Sequence, residues 1–229
     1  MTATWDEVRG PVLRTALGVG MATGAYGLSF GALATASGLT VVQACALSVL
    51  TFTGGSQFAL IGVLGAGGNV ASGSASAILL GARNVVYGAR LTAPLQLSGW
   101  RRLLGAHFVI DESTAVALAA EDRGDRAARL GFWATGVAVF ALWNLATLIG
   151  AIAGNAIGDP RDYGLDAAVP AAFIALVAPR LRTLPTWLTA IAAAAVALAV
   201  VPLVPSGVPV LLAALVPVFA VLVFKEWAQ

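Results

Sequence analysis

The sequence predicts an all-α, polytopic helix bundle built for a bilayer. Three observations predict it. Of the 229 residues, 59% are hydrophobic and only 10% are charged, where an ordinary soluble domain carries about 25% charged residues. The apolar residues fall into eight segments, most of them long enough for the ~20 residues that a spanning helix needs. The polar stretches between them, such as Ser98–Arg102, Glu121–Arg126 and Gly158–Asp162, are too short to hold a soluble domain.

The segments run 12–37, 40–67, 69–94, 103–120, 128–153, 165–180, 184–204 and 208–225. Segments 1, 2, 3, 5, 7 and 8 are long enough to cross. Segments 4 and 6 are short or polar, which leaves six to eight spans in a single transmembrane domain, 1–229. Segment 1 carries Gly18, Gly20, Gly24, Gly27 and Gly31, a spacing that lets helix backbones approach closely. Pro170 and Pro179 are expected kink or end points. Asp166, at the opening of segment 6, reads as a helix N-terminal acid. The acidic start, Met1–Glu7, lacks the basic flank of a secretory signal, so segment 1 is expected to stay in the mature chain.

Lys225 is the one lysine among thirteen basic residues. The arginines are scattered along the flanks of apolar segments, which argues against nucleic acid. Their placement also orients the chain. If all eight segments cross, the cytoplasmic side holds eight basic residues against three. If segment 2 is re-entrant and segment 4 does not cross, the count is ten against one. Both arrangements put both termini in the cytoplasm. The charge count prefers the second. An internal echo prefers the first: Leu60–Asn69 resembles Leu148–Asn155, and Ala93-Pro94 is echoed by Ala178-Pro179. The echo suggests inverted repeats over 12–94 and 100–180, followed by a C-terminal hairpin at 184–225.

Cys45 is the only cysteine and His107 the only histidine. No intrachain disulfide and no multi-histidine metal site is therefore possible, and no cofactor is expected.

Four polar constellations interrupt the apolar segments, where a polar group is costly unless it meets a partner, a cavity or a permeant molecule. Thr53-Gly54-Gly55-Ser56-Gln57 is expected to break segment 2 and to free amides that can receive a carboxylate; the alternative is a glycine kink with Ser56 and Gln57 bonded to neighbouring helices. Arg83-Asn84 lies inside segment 3, where Arg83, Tyr87 and Arg90 share a face. Arg83 needs a carboxylate, from a substrate or from Asp111 or Glu112; Arg90 is expected to snorkel to the headgroups. Asp111 and Glu112 are candidates for proton coupling, with His107 one turn from Asp111; alternatively they are solvated acids paired with Arg101 and Arg102. Trp143-Asn144 is read as an interruption of segment 5, 88 residues after Gly55-Ser56.

The chain resembles the AzlC family, the large subunit of bacterial branched-chain amino acid exporters of the AzlCD, BrnFE and YgaZH types. The resemblance rests on Gly24–Gly31, Phe52–Phe58, Ala82–Gly88, Asp111–Thr114 and Leu165–Phe173, in that order. The chain keeps Arg83 of the family's motif but carries Ala82 and Asn84 beside it. The resemblance implies a permease of the bacterial cytoplasmic membrane that exports leucine, isoleucine, valine and methionine, and a small four-helix AzlD-type partner subunit. On this reading Thr53, Gly54, Gly55, Ser56, Gln57, Arg83, Asn84, Trp143 and Asn144 bind the substrate, Phe30, Phe52, Phe58 and Trp143 shape its pocket, and Asp111 and Glu112 carry protons. Two other readings stand beside it: an intramembrane serine-type enzyme using Ser56 and His107, and a passive channel or non-transporting membrane subunit. No phosphate-binding Gly-x-x-x-x-Gly-Lys-Ser/Thr loop occurs, so the chain is not expected to hydrolyse ATP.

Overall fold

A computed structural model describes residues 4–156, 171, 174, 177–205 and 207–223. These residues form helices α1 (Trp5–Ala36), α2 (Val41–Leu50), α3 (Gly55–Gly65), α4 (Val70–Gly81), α5 (Arg83–Leu95), α6 (Gly99–His107), α7 (Asp111–Ala119), α8 (Asp125–Ala156), α9 (Leu184–Val200), α10 (Val208–Ala213) and α11 (Leu215–Val223). Helices α1 and α8 have 32 residues each and are long and apolar enough to cross a membrane. The outer surface is apolar too, with Met21, Leu50, Ile78, Val85, Ile152 and Leu198 exposed. A soluble monomer rarely carries so much exposed apolar surface.

The α1–α8 pair is the backbone of the fold. It is parallel and in constant register: Gly20 lies against Ala138, Gly24 against Leu142, Gly31 against Thr147 and Ala151, and Gly150 against Leu28. At each of these positions a Cβ would collide with the facing helix, so glycine sets how closely the helices approach. Gly18 faces open space and takes no part. The start of α1 is fastened by the Thr4 N–H, which donates to Glu7 at 2.7 Å.

The other described helices up to α8 fill the space beside this pair as broken segments. The near end of the bundle is taken as the one where α1 and α8 begin. From the far end, α2 descends beside α8, with a Ser48–Thr147 hydroxyl contact of 3.2 Å. The chain turns at Thr51–Gly54, and α3 climbs back until Gly65 reaches Ser37, just past the end of α1. The pair α2/α3 is therefore a hairpin that enters from the far end and stops halfway. Helix α4 runs antiparallel to α3, with Gly73 against Leu60 and Gly81 against Ser56. A one-residue joint at Ala82 leads into α5, which continues to the near end, where Arg90 meets Glu121 and the Pro94 carbonyl accepts from Arg129.

A second hairpin follows. Helix α6 starts beside the end of α5, the chain turns at Phe108–Ile110, and α7 returns to the near end against α8, with Val116 on Gly131. The two hairpins enter from opposite ends and their tips touch: the Phe52 and Phe108 rings meet at 6.2 Å, nearly edge to face. Beyond residue 177, α9 packs on α10 and α11, and Gly207 rests on Ser72 and Val63.

The predicted limits of segments 5, 7 and 8 match these helices to within a few residues, and segment 2 breaks where expected; α1 begins at Trp5, ahead of the predicted 12, and segments 3 and 4 also break, at Ala82 and at Phe108–Ile110. Three readings need correction. Helix α8 runs unbroken through Trp143-Asn144, because the Asn144 amide donates to the Phe140 carbonyl at 2.8 Å within the helix and Trp143 packs on Phe30 and Phe58. His107 and Asp111 do not share a helix face, because the turn at 108–110 separates them and His107 lies among the rings of Phe52, Phe108 and Phe140. Arg90 does not snorkel freely but pairs with Glu121. Asp166, Pro170 and most of segment 6 lie outside the described residues. Pro179 stands in a short 3₁₀ turn, Ala178–Arg180.

Candidate functional site

Three helix starts converge at mid-depth. Helix α3 begins at Gly55 because Gly54, with φ 58° and ψ −90°, takes a conformation that L side chains avoid. Helix α5 begins at Arg83, after the joint. Helix α7 begins at Asp111, after the second turn. Between them lies a cavity of about 290 Å³, near the small end of the range for small-molecule pockets.

Its polar wall is Thr23, Thr53, Gly54, Gly55, Arg83, Asp111 and Glu112. Its apolar wall is Tyr26, Phe52, Phe58, Leu80, Ile110, Val139, Trp143 and Val177. Arg83 Nη1 pairs with Asp111 Oδ2 at 2.9 Å, and the two side chains are 27% and 29% exposed. Neither is sealed in the protein; both open to the cavity. The guanidinium also lies against the start of α3, where a Cβ on Gly55 would come within 3.2 Å of Arg83 Nη2. Glu112 approaches the Thr23 hydroxyl at 3.5 Å, the outer limit of a hydrogen bond. Trp143 is 3% exposed, and its indole N–H has no acceptor among the described residues. A buried donor without an acceptor is costly.

The structure brings Thr53, Gly54, Gly55, Arg83, Trp143, Asp111 and Glu112 together around this cavity. Ser56, Gln57, Asn84 and Asn144 do not line it. The Gln57 carboxamide donates to the carbonyls of Leu47 at 3.1 Å and Ser48 at 3.3 Å, so it caps the end of α2. The Ser56 hydroxyl faces Gly81. The pairing of the acids with Arg101 and Arg102 is replaced by the Arg83–Asp111 pair, and Arg101 instead lies over the Trp100 ring. The serine-type arrangement has no geometric basis, since Ser56 faces a helix and His107 an aromatic cluster. Of the expected aromatic wall, Phe30 stands behind it, stacked on Trp143 at 6.0 Å. Thr23 and Tyr26, contributed by α1, are functional candidates that the sequence reading missed. The run Gly24–Gly31 beside them was the available signal, but it pointed to packing.

The AzlC protein family is matched over residues 18–157, which takes in every described element from mid-α1 to the end of α8. No curated protein and no solved structure matches the chain.

Proposed function

Because the chain belongs to the AzlC family, whose members are associated with branched-chain amino acid transport, we propose that it exports leucine, isoleucine, valine and methionine across the bacterial cytoplasmic membrane. The observation that carries this reading is the mid-depth cavity, where a guanidinium and two carboxylates face a wall of Phe52, Phe58, Leu80, Ile110 and Val139. An amphiphilic amino acid needs those three things: a cation for its carboxylate, an anion for its ammonium and an apolar hollow for its side chain. In this reading Arg83, Thr53, Gly54 and Gly55 receive the carboxylate, Asp111 and Glu112 the ammonium, and Trp143 closes the pocket. Asp111 and Glu112 are also the proton-coupling groups. Ser56, Gln57, Asn84 and Asn144 support the site from behind.

The topology follows the arrangement with ten basic residues on one side. Helices α1, α4–α5 and α8 cross the membrane, and the two hairpins do not. The near end, which carries Arg9, Arg14, Arg90, Arg123, Arg126 and Arg129, is cytoplasmic. The inverted relation is best placed at a spacing of 56 residues rather than 88. At that spacing Phe52 corresponds to Phe108, Gly55 to Asp111 and Gln57 to Ser113, and α1 with the first hairpin corresponds to α4–α5 with the second. This division stands beside the repeats of 12–94 and 100–180. The working unit includes a small four-helix partner of the AzlD type.

The test is efflux of preloaded labelled leucine from vesicles, with and without the small subunit, under an imposed proton gradient. Gradient-dependent efflux supports the reading. Efflux that persists unchanged when the gradient is collapsed favours a passive pore, and no efflux in either condition overturns the reading.

A further inference from the structure

We propose that the Arg83–Asp111 ion pair is a placeholder for the cargo: an entering amino acid exchanges its carboxylate and ammonium for the two halves of the pair. This rests on the reading of the cavity as an amino acid site and adds how that site recognises its ligand.

The argument begins with position. Arg83 and Asp111 are the first residues of two helices from different parts of the fold, α5 and α7, and they bridge the cavity rather than lie behind it. Both remain more than a quarter exposed. A pair kept for structure alone gains most when it is sealed by packing and fully hydrogen-bonded. Here Arg83 Nε is buried and has no partner among the described residues, so the guanidinium is not fully hydrogen-bonded in this arrangement.

Charge supplies the second step. Among the residues lining the cavity, the charged ones are Arg83, Asp111 and Glu112. With its pair closed, the empty site offers neither a bare cation nor a bare Asp111 carboxylate. A zwitterion carries both complementary charges on one carbon. Its carboxylate takes the guanidinium, and its ammonium takes Asp111 with Glu112 alongside. Each partly buried charge changes partner without being left alone, which avoids the cost of an uncompensated ion.

Local geometry supplies the third. The guanidinium lies against Gly55, the first residue of α3. Among the described residues, the amides of Gly55 and Ser56 have no acceptor. A carboxylate drawn to Arg83 arrives beside Gly55, whose N–H opens α3 at the cavity wall, so it gains a charge-assisted bond at a helix N-terminus. On the far side of the charges lies the apolar wall, which fixes the direction of the cargo's side chain.

Ligands and variants separate this from a structural pair. In the purified full-length chain, bound labelled leucine is competed by unlabelled leucine, by 3-methylbutylamine, which lacks the carboxylate, and by 4-methylpentanoate, which lacks the amine. Exchange predicts that each analogue competes at least ~100-fold more weakly than leucine. The double variant Arg83→Met/Asp111→Leu removes both charges at once, a change that a purely structural pair tolerates. We expect it to keep the wild-type unfolding temperature and to lose leucine binding by ~100-fold or more. Wild-type leucine binding in the double variant, or equal competition by either analogue, overturns the exchange while leaving the amino acid site standing. If the wild-type chain binds none of the three ligands, the amino acid reading falls and the exchange falls with it.

Discussion

Gln57 and Ser113 close the two hairpins in the same way from the third position of α3 and α7. The Gln57 amide reaches back to the Leu47 and Ser48 carbonyls at 3.1 and 3.3 Å. The Ser113 hydroxyl donates to the Phe108 carbonyl at 2.6 Å and accepts from the Ile110 N–H at 3.2 Å. Each side chain satisfies backbone groups that a broken helix leaves exposed at mid-depth.

Gln57 therefore acts on folding before it acts on transport. We expect Gln57→Ala to destabilise the chain by about 1–3 kcal/mol, the cost of leaving the buried Ser48 carbonyl without its donor, since the Leu47 carbonyl keeps the Thr51 N–H and hydroxyl. Membrane abundance and leucine efflux should fall together, so efflux per molecule stays near wild type. A variant with normal abundance and no efflux would return Gln57 to the binding site.

Gly54 is required by its backbone and not by crowding, since a Cβ there meets nothing within 4 Å. Gly54→Ala is expected to cost about 1–3 kcal/mol of strain and to loosen the start of α3. The measurements are the thermal midpoint and the leucine dissociation constant, and both should worsen.

The α1–α8 seam separates crowded glycines from free ones. Gly31→Val drives a side chain into the Thr147 carbonyl and the Ala151 amide, so a loss of about 3 kcal/mol or more and poor membrane yield are expected. Gly18→Ala meets open space and should be neutral or stabilising by up to about 1 kcal/mol. Comparing the two yields tests the parallel packing directly.

Leu80 sets part of the cavity's width. Leu80→Phe narrows the hollow and is expected to favour valine over leucine by ~10-fold in competition efflux, the usual worth of one or two methylenes. An unchanged ratio would remove Leu80 from the specificity wall.

Arg90 gives the contrast to Arg83. Its pair with Glu121 is short, at 2.6 Å, but the arginine side chain is 52% exposed. Exposed pairs contribute little, so Arg90→Gln should leave abundance and efflux within about twofold of wild type, while Arg83→Gln should abolish efflux.

How far the sequence could be read depended on whether a signal was local. The break at Gly54-Gly55 was legible because two adjacent glycines weaken a helix wherever they stand. The arginine count, which sets Arg101 and Arg102 on the wrong side if every segment spans, is likewise a local signal, and the orientation drawn from it stays a proposal. Trp143-Asn144 misled because the sequence does not reveal that the Asn144 amide bonds within its own helix and that Trp143 meets Phe30 and Phe58. His107 and Asp111 misled because Phe108-Val109-Ile110 carries no glycine or proline to announce a turn. Tyr26 and Thr23 were invisible as site residues because the groups that make them so, Glu112 and Arg83, are brought beside them only by the second hairpin and the α4–α5 joint.

The meeting of Phe52 and Phe108 at the hairpin tips has a mechanical consequence. The tips meet in a cluster rather than at a single contact, since the Phe52 ring also stands 6.0 Å from His107 and 5.1 Å from Phe140 on α8. Both tips lean on the same ring of α8, since Phe108 also lies 5.5 Å from Phe140, so any change in how Phe140 packs is felt by the two hairpins at once.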